Sequence, residues 1–358
     1  MSLWVVVGGQ FGSEGKGKIS AFITLEEKVD LCIRCGGPNS GHSFVVENGT
    51  RHLVRQIPTG FVRPETRLLI PAGALVDLEV LKKEIENLGL FSRVGIDRNA
   101  MIIEDIDRKN EVDLHLRERL SSTLCGVGSA VARRALRGTG VRLAGDVAPQ
   151  VSWLAPLLTD VSAQANRALD DGKKVLIEGT QGFGLSLYHT PEYPKATSRD
   201  TTSAGFLSEV GLSPRLVSEI VVVFRTFPIR VAGTQAGSLK EEISWEQLQF
   251  ESGYPYPIHE ITSVTQKVRR IGRFDWELAK AAVQVNRPTR IALNGIDYLR
   301  YTNSGITNLD RLSPDAISFM ERLEEITNSP IGIWAAGPQL ENCSTERLKS
   351  RTVSLRGA

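Results

Sequence analysis

Cysteine is scarce in this chain: only Cys32, Cys35, Cys125 and Cys343 occur among its 358 residues. Such sparse usage argues against a fold held by disulfides and favours a reducing compartment, so we predict a cytoplasmic location. Cys32 and Cys35 have the C-x-x-C spacing of half a zinc or redox site, but no second pair stands at ligand spacing. We therefore interpret both as small buried residues of a short apolar strand.

Long apolar runs and a strong charge of one sign are also missing. No stretch is long enough to span a membrane, and the segment MSLWVVVGGQ at 1–10 lacks the basic region and cleavage site of a signal peptide. The formal net charge of +2 gives no overall basic field of the kind that nucleic-acid-binding proteins carry. We therefore expect small-molecule partners, with neither nucleic acid nor membrane, and any anionic ligand must be held by local clusters of Lys and Arg.

Short apolar runs alternate with amphipathic segments along the chain. The runs that predict buried parallel strands are LWVVVGG at 3–9, KVLIEG at 174–179, EIVVVF at 219–224, RIALNG at 290–295 and IGIWAAG at 331–337. The segments with helical patterns are 75–90, 153–172 and 316–330. This alternation predicts an α/β fold with a central, mostly parallel sheet flanked by helices. We expect one domain over residues 1–358, with a polar, basic tail from about residue 344.

The first apolar run leads into GGQFGSEGKGK at 8–18, the most informative segment of the chain. Its five glycines let the backbone approach a ligand closely, so that consecutive N–H groups can cradle phosphate while lysine supplies charge. This is not a Walker A loop, because Gln10 stands where that motif needs Gly and Gly17 stands where it needs Ser or Thr. A P-loop-like phosphate site that differs from that of simple P-loop NTPases is predicted.

Each of the five apolar runs is followed by polar or glycine-rich residues. These segments are GGQFGSEGKGK, EGTQGFG, FRTFPIRV, NGID and AAGPQ. Ligands of open α/β sheets bind at the carboxyl ends of strands, so the five segments predict one common site.

Several motifs, in order along the chain, resemble those of adenylosuccinate synthetases. The family's GDEGKGK loop, its R-x-x-G-G-x-N-A-G-H-T motif, its T-x-x-G-I-G-P-A-Y motif and its E-G-A-Q-G segment correspond to GSEGKGK at 12–18, RCGGPNSGHSFV at 34–45, SSTLCGVGSAVARRALR at 121–137 and EGTQGFGLSLYHTPEYPKATSRDTTSAG at 178–205. Weaker similarities lie at 264–275, 294–297 and 335–338. The resemblance spans residue 4 to about residue 338 and implies the fold of that family.

The resemblance also implies a reaction. In that family a nucleoside triphosphate phosphorylates the 6-oxygen of a purine nucleotide, and the amine of L-aspartate then displaces phosphate at C6. Phosphoryl transfer depends on positioning and on neutralising charge, which lysine and Mg²⁺ supply. The expected cofactor is therefore Mg²⁺, and the expected assembly is a homodimer.

The resemblance carries the family's site residues onto this chain. Catalytic roles fall on Ser13, Lys16 and His42: Lys16 steadies the transferred phosphoryl group, and His42 is the acid at the leaving β-phosphate oxygen. Ser13 and the carbonyl of Gly41 are the expected Mg²⁺ ligands. The residues expected at the triphosphate donor are Gly12, Ser13, Glu14, Gly15, Lys16, Gly17, Gly41, His42, Ser43, Arg269, Asn294, Gly295, Asp297, Ala335, Ala336, Gly337 and Pro338.

The acceptor nucleotide and aspartate have expected residues of their own. Those for the acceptor are Ser13, Asn39, Ser40, Thr123, Arg133, Gln181, Thr197 and Lys267. Those for aspartate are Ser263, Val264, Thr265, Gln266, Lys267 and Arg269. Arg133 would reach the acceptor phosphate from a second subunit, although the adjacent Arg134 fits as well. The family usually has Gly in place of Gln266 and Arg in place of Lys267, so we expect a different grip on aspartate and ribose.

Ser13 is the departure that bears on the acceptor. Cellular synthetases have Asp there, which takes the N1 proton of inosinate, whereas an unassisted serine hydroxyl is no base at neutral pH. A hydroxyl leaves room for the 2-amino group of guanine, and the same substitution marks phage relatives that convert deoxyguanylate for diaminopurine DNA. The chain is also shorter than most cellular members. The sequence therefore favours dGMP, with GMP still open, a phosphate oxygen or water as hypothetical proton acceptor, and the host cytoplasm as location if a phage encodes the chain.

A second departure concerns the donor. The family reads guanine with a K-x-D element and an S-x-G-P element, which correspond here to Gly295-Ile296-Asp297 and to 335–338. The loss of Lys and Ser should weaken the selection for guanine, which favours ATP or dATP. Asp297 persists, so GTP stays open.

The sequence leaves two alternative functions open. The first is ordinary adenylosuccinate synthesis from inosinate and GTP. The second is a nucleotide-binding paralogue without activity, against which the intact Lys16, His42, Gln181 and Thr197 argue.

Overall fold

The computed structural model of the chain describes residues 2–262 and 266–348. Its strands are β1 Ser2–Gly8, β2 Leu31–Arg34, β3 His42–Val45, β4 Arg51–Val54, β5 Arg67–Ile70, β6 Leu75–Val76, β7 Val94–Asp97, β8 Met101–Ile102, β9 Leu158–Thr159, β10 Lys174–Glu178, β11 Val217–Arg225, β12 Ile229–Arg230, β13 Glu242–Ile243, β14 Arg270–Gly272, β15 Arg290–Asn294, β16 Ile331–Ala335 and β17 Cys343–Ser344. Its α-helices are α1 Lys16–Glu26, α2 Leu78–Leu88, α3 Asp105–Asp113, α4 Leu116–Leu120, α5 Val127–Ala135, α6 Ala144–Val147, α7 Val161–Asp170, α8 Ser203–Val210, α9 Trp245–Ser252, α10 Trp276–Asn286 and α11 Pro314–Thr327.

A ten-stranded sheet forms the centre of the molecule, in the order β17-β16-β15-β11-β1-β10-β2-β5-β7-β9. All neighbouring strands in it are parallel except β16 and β17, which are antiparallel. The five apolar runs form β1, β10, β11, β15 and β16. The predicted α/β fold with a mostly parallel sheet is therefore confirmed.

The strand β1 is apolar throughout because both of its faces are covered. Leu3, Val5 and Val7 pack into a core that also contains residues of α7, α8, α10 and α11. Trp4 and Val6 point the other way, into a core that contains residues of α1 and α2. Alternate side chains of a strand point to opposite faces, so a strand buried between two helix layers must be apolar at every position.

Two predicted helices start later than their patterns suggest. The segment 75–90 begins with β6, and α2 starts at Leu78 because Asp77 accepts hydrogen bonds from the N–H groups of Glu79 and Val80, at 3.1 Å each. The segment 153–172 contains the short strand β9 before α7, whose start is capped by Asp160, which accepts from the N–H of Ala163 at 2.8 Å. Capping carboxylates fix helix starts more sharply than apolar spacing does. The third predicted helix is α11.

The polar tail begins as part of the packed structure. Trp334, which is fully buried, donates its indole N–H to the Glu346 carbonyl at 3.0 Å, and Leu348 packs against the core. Residues 349–358 of the expected tail lie outside the described residues. The single domain over 1–358 stays a prediction.

The two cysteines of the C-x-x-C pair lie in different parts of the core. Cys32 packs among the side chains on the α1 and α2 side of the sheet, whereas Cys35 packs on the other side. Both thiols are fully buried, as predicted, but only Cys32 lies in the strand β2, since Cys35 follows its last residue. Within the described ranges, no helix combines the length and apolar character needed to cross a membrane.

Candidate active site

The phosphate loop, residues 9–15, joins β1 to the start of α1. Gly12, Ser13 and Gly15 have φ angles of +82°, +59° and +93°. Gly15 cannot be replaced without strain, because a Cβ there would lie 2.6 Å from Nδ2 of Asn294, which donates to the Glu14 carbonyl at 2.7 Å. These backbone conformations place the loop at the amino end of α1, where backbone N–H groups and the helix dipole favour anions.

Glu14 organises the phosphate loop from within. Its carboxylate accepts hydrogen bonds from the N–H groups of Gln10 at 3.1 Å and Gly12 at 2.8 Å, and from the ammonium of Lys16 at 2.5 Å. The side chains of Glu14 and Lys16 are both buried. Because the Glu14 carboxylate bonds to backbone groups of its own loop, it shapes the loop and fixes the ammonium group of Lys16 beside it.

A third side chain fastens the loop to the sheet. Gln10 donates from Nε2 to the Arg225 carbonyl and accepts from the Arg225 N–H, each at 3.0 Å. Arg225 also donates from Nη1 to the Ser13 carbonyl at 3.1 Å. The loop after β1 is therefore fixed to the carboxyl end of its neighbour β11.

His42 is held by charged residues at the ends of two other strands. Glu178, the last residue of β10, accepts from Nη1 of Arg34 at 2.7 Å and from the N–H and hydroxyl of Thr59 at 2.8 and 2.7 Å. Nδ1 of His42 forms a hydrogen bond with the same carboxylate. With Nδ1 engaged, Nε2 is the ring nitrogen that remains for a ligand.

The surroundings of His42 set its charge. Burial, reinforced by the charge of Arg34, lowers the pKa of His42 to about 3, so the imidazole is neutral near pH 7. Burial acts to raise the pKa of Glu178, but the hydrogen bond from His42 and the charge of Arg34 outweigh it and lower that pKa overall. A neutral histidine therefore lies beside an ionised carboxylate.

A cavity of about 940 Å³ opens at this edge of the sheet. The sequence-predicted residues that line it are Gly12, Ser13, Lys16, Asn39, Ser40, Gly41, His42, Thr123, Gln181, Thr197, Lys267 and Arg269. Residues expected at the donor, the acceptor and aspartate thus share one cavity. The sequence predicts this convergence, because the carboxyl ends of parallel strands meet at one edge of a sheet.

Other expected residues support the cavity from behind or lie apart from its wall. Gly17 packs under β3, since a Cβ there would lie 2.6 Å from Cβ of His42. Asn294 holds the Glu14 carbonyl, and Gly295 follows it at the end of β15. Ser43 is in β3, and Gln266 is in the segment that leads to Lys267. Ser263, Val264 and Thr265 lie outside the described residues.

The residues expected at the donor base form a closed cluster beside the loop. Asp297 is buried and accepts a hydrogen bond at Oδ2 from the hydroxyl of Tyr254. Burial raises the pKa of Asp297. The ammonium of Lys18, also buried, donates to the Gly337 carbonyl at 2.7 Å, within the expected segment Ala335, Ala336, Gly337 and Pro338.

Neither candidate arginine for the acceptor phosphate lines the cavity of its own chain. Arg133 donates to Glu104 at 2.9 Å, to Asp107 at 3.1 Å and to the Gly140 carbonyl at 2.7 Å. Arg134 donates to the Ala72 carbonyl at 2.8 Å. A contribution from a second subunit stays a prediction.

Several site residues were not predicted from the sequence. Arg34, Glu178 and Arg225 are charged residues that end apolar strands, and that position was a usable signal. The wall formed by α4 gave no signal, because no site motif falls on it. Arg230 lies within the predicted site segment FRTFPIRV, but nothing in the sequence singles it out; its guanidinium lies 4.2 Å from the centre of the Phe11 ring at the cavity wall.

The cavity offers oxygen ligands to a hard cation. Among the described residues, no three His, Cys, Asp or Glu side chains are grouped so that they could enclose a metal ion. Mg²⁺ rarely needs such a cage, since it takes one or two protein oxygens and fills its sphere with water and phosphate. The hydroxyl of Ser13 and the carbonyl of Gly41 belong to residues that line the cavity, so this donor set fits Mg²⁺.

Comparisons with known proteins agree on the family. A family model described as adenylosuccinate synthetase matches residues 5–154 and 146–304. The adenylosuccinate synthetase of Pyrococcus horikoshii is 41% identical over 351 residues, covering 96% of this chain and 98% of the relative. That of Methanocaldococcus jannaschii is 42% identical over 344 residues, covering 94% of each. Since these cellular relatives match over nearly their whole length, the shortness of this chain does not distinguish it from cellular members.

Two solved structures share the fold. The fully ligated adenylosuccinate synthetase from Plasmodium falciparum has a TM-score of 0.83 at 21% identity, covering 97% of this chain and 100% of that one. The succinoaminodeoxyadenylate synthetase of cyanophage S-2L, bound to dGMP and to dATP as energy donor, has a TM-score of 0.79 at 26% identity, covering 96% and 94%.

The family match and the archaeal relatives cover most of this chain, and their motifs converge on the cavity at the carboxyl edge of the sheet. Members of that family are carbon–nitrogen ligases of purine biosynthesis that bind nucleotides and use Mg²⁺. The chain belongs to the adenylosuccinate synthetase family.

Proposed function

We propose that this chain joins L-aspartate to C6 of dGMP, with ATP or dATP as the phosphoryl donor and Mg²⁺ as cofactor. The products would be 2-amino-2′-deoxyadenylosuccinate, ADP or dADP, and phosphate. A homodimer acting in the cytoplasm belongs to the same proposal. The observation that carries the choice of acceptor is Ser13, a hydroxyl where cellular family members present a carboxylate.

The surroundings of Ser13 support this choice. The residue is exposed and lines the same cavity as Lys16 and His42, while its carbonyl is held by Arg225. The neighbouring carboxylate of Glu14 is buried and bonded to the loop and to Lys16, so it does not replace the missing Asp. A purine that approaches Ser13 therefore meets a short neutral group. That leaves space for a 2-amino group next to N1.

The cavity offers polar groups for the rest of the acceptor. Asn39, Gln181, Thr123 and Thr197 supply amides and hydroxyls, which can bond to a base, a ribose and a phosphate. Lys267 adds a positive charge at the same wall. None of these groups requires a 6-oxopurine without a 2-amino substituent, so they are compatible with guanine.

Phosphoryl transfer falls to Lys16 and His42. Glu14 holds the ammonium of Lys16 beside the phosphate loop, so this charge is already positioned to stabilise the transferred phosphoryl group. His42 is neutral before the donor binds, and the negative charge of a triphosphate favours its protonation. Protonated at Nε2, it can donate to the leaving β-phosphate oxygen while Glu178 keeps the ring oriented.

Mg²⁺, when bound, would draw charge from the donor phosphates, with the Ser13 hydroxyl and the Gly41 carbonyl as its protein ligands. The N1 proton needs another acceptor, since Ser13 is no base. Glu111 also lines the cavity, but its two carboxylate oxygens accept from the N–H groups of Gly126 and Gly128 at 2.9 and 2.8 Å. A phosphate oxygen or a water molecule therefore remains our hypothesis.

An adenine donor is supported by the cluster around Asp297. Reading the N1–H and 2-amino group of guanine takes both oxygens of a carboxylate, and Oδ2 of Asp297 already accepts from Tyr254. The ring of Tyr254 is fixed in turn by Tyr301 at 4.8 Å and by Tyr298 at 5.8 Å. Guanine would have to share Oδ2 with, or displace, a buried hydroxyl, whereas adenine makes no such demand.

One second candidate has an observation of its own. The archaeal relatives at 41% and 42% identity are named adenylosuccinate synthetases, which supports synthesis from inosinate and GTP. An inactive paralogue has less support, because Lys16 is paired with Glu14 and His42 with Glu178, as catalysis would need.

A nucleotide panel distinguishes these functions. Purified protein with aspartate and Mg²⁺ is incubated with dGMP, GMP or inosinate, each crossed with ATP, dATP and GTP, and products are measured by mass spectrometry. We expect the succinylated product from dGMP with ATP or dATP. Product from inosinate alone would contradict the proposed acceptor, and no product from any pair would favour the inactive paralogue.

Replacing Ser13 with aspartate should reverse the acceptor preference. We expect Ser13→Asp to lower kcat/KM for dGMP about 100-fold, or about 2.7 kcal/mol, because the carboxylate crowds the 2-amino group. Inosinate, which lacks that group, should be used better than by the parent. Ser13→Ala is the control, since it removes the hydroxyl without filling the space. A Ser13→Asp enzyme that uses dGMP as well as the parent would refute the steric argument.

Removing the hydroxyl of Tyr254 should relax donor selection. Tyr254→Phe frees Oδ2 of Asp297, and we expect kcat/KM for GTP relative to ATP to rise about tenfold, the worth of one charged hydrogen bond. Tyr256→Phe is the matched control, since its ring packs at 5.6 Å from Tyr254. The donor account fails if the GTP-to-ATP ratio stays within twofold of the parent in Tyr254→Phe.

A further inference from the structure

Arg225 lies between two segments that have separate roles in the proposed function. Its Nη1 donates to the Ser13 carbonyl of the phosphate loop at 3.1 Å and to Oε2 of Glu260 at 3.2 Å. Its Nη2 pairs with Oε1 of Glu260. One guanidinium therefore bridges the loop after β1 and the segment around Glu260, which lies 35 residues beyond Arg225 in the chain.

Glu260 precedes the segment 263–269, to which we assign aspartate binding. The Glu260 carbonyl accepts from the N–H of Arg269 at 2.8 Å, and Nε of Arg269 donates to the Ile261 carbonyl at 3.3 Å. Thr262 donates from its N–H to the Lys267 carbonyl at 2.9 Å. Lys267 and Arg269 both line the cavity. The Glu260 carbonyl thus holds the backbone of Arg269, while the Glu260 carboxylate holds Arg225. The backbone of Lys267 is held by Thr262.

The geometry needs an arginine. Three oxygens, one from Ser13 and two from Glu260, are met by two nitrogens of one planar group. An ammonium group is a single point of charge on a flexible stem and cannot span two segments in this way. Ser13 also adopts a positive φ of 59°, a conformation that a non-glycine residue keeps only when its surroundings hold it.

We propose that Arg225 and Glu260 are positioning residues that couple the aspartate-binding segment to the phosphate loop. Arg225 fixes the backbone of Ser13, and so the direction of its hydroxyl, while Glu260 fixes the turn that carries Lys267 and Arg269. A shift at either end is transmitted to the other through one ion pair. The roles of the two segments rest on the proposed function, whereas the link between them rests on the contacts described.

The coupling has a kinetic signature that a purely structural role lacks. If the pair only stabilised the fold, weakening it would lower the unfolding temperature and leave the kinetics of correctly folded enzyme unchanged. If it positions both segments, weakening it raises KM for aspartate and lowers kcat together. The kinetic effects of changing Arg225 and of changing Glu260 should not multiply in a double variant, because both changes break the same contact.

The experiment compares Arg225→Lys, Glu260→Gln and the double variant with the parent, using the acceptor and donor that the parent turns over best. A matched control is Arg290→Lys. Arg290 pairs with Glu219 through Nη2 at 2.7 Å and Nε at 3.2 Å, on β15 and β11, at the amino ends of these strands. It thus repeats the same chemical change in an Arg–Glu pair away from the cavity.

We expect Arg225→Lys and Glu260→Gln each to raise KM for aspartate about tenfold and to lower kcat, with the double variant no worse than the more severe single variant. Arg290→Lys should stay within twofold of the parent in both constants. Multiplying effects, or an Arg225→Lys enzyme with KM and kcat within twofold of the parent, would overturn the coupling.

If the parent enzyme shows no turnover, the proposed function is wrong, but the link between Arg225 and Glu260 can still be tested. In that case, titration calorimetry with Mg²⁺–ATP reads the phosphate loop directly. Arg225→Lys and Glu260→Gln should then weaken ATP binding by at least about tenfold relative to the Arg290→Lys control. Equal affinities in the parent and both variants would overturn the inference.

Discussion

Buried positive charge at the carboxyl edge of the sheet is the constraint around which this site is built. Lys16 begins α1, Arg34 ends β2 and Arg225 ends β11, and each is paired with a glutamate: Glu14, Glu178 and Glu260 respectively. A buried cation without a partner would cost several kcal/mol. The three glutamates thus allow a cationic edge to exist before any anion arrives, and they fix the geometry of the loops.

Much of this arrangement could be predicted from the sequence. The five apolar runs became five strands of one sheet, and the polar segments after them met at one cavity, because the carboxyl ends of parallel strands share an edge. The inward turn of Glu14 could not be predicted, since its partners are backbone groups of its own loop. Nor could the Arg225–Glu260 link, which depends on how a distant loop folds back over β11.

In our proposal, overall sequence identity and substrate choice depend on different residues of this chain. The archaeal synthetases share more of the sequence than the cyanophage enzyme does, but identity of this kind mainly reflects the scaffold. We propose that few groups select the purines: the hydroxyl of Ser13 at the acceptor, and Tyr254 on Asp297 at the donor. A change in one or two such contacts is enough to redirect a site whose charges and backbone stay the same.

The central claim is that the phosphate loop holds a triphosphate whose terminal group passes to the exocyclic oxygen of a purine. Isotope transfer tests this directly: the preferred acceptor is labelled with ¹⁸O at O6 and turned over with aspartate, and the released phosphate is analysed by mass spectrometry. The account predicts that the phosphate carries the label, because the oxygen leaves C6 as part of it. Unlabelled phosphate accompanying product formation would contradict it.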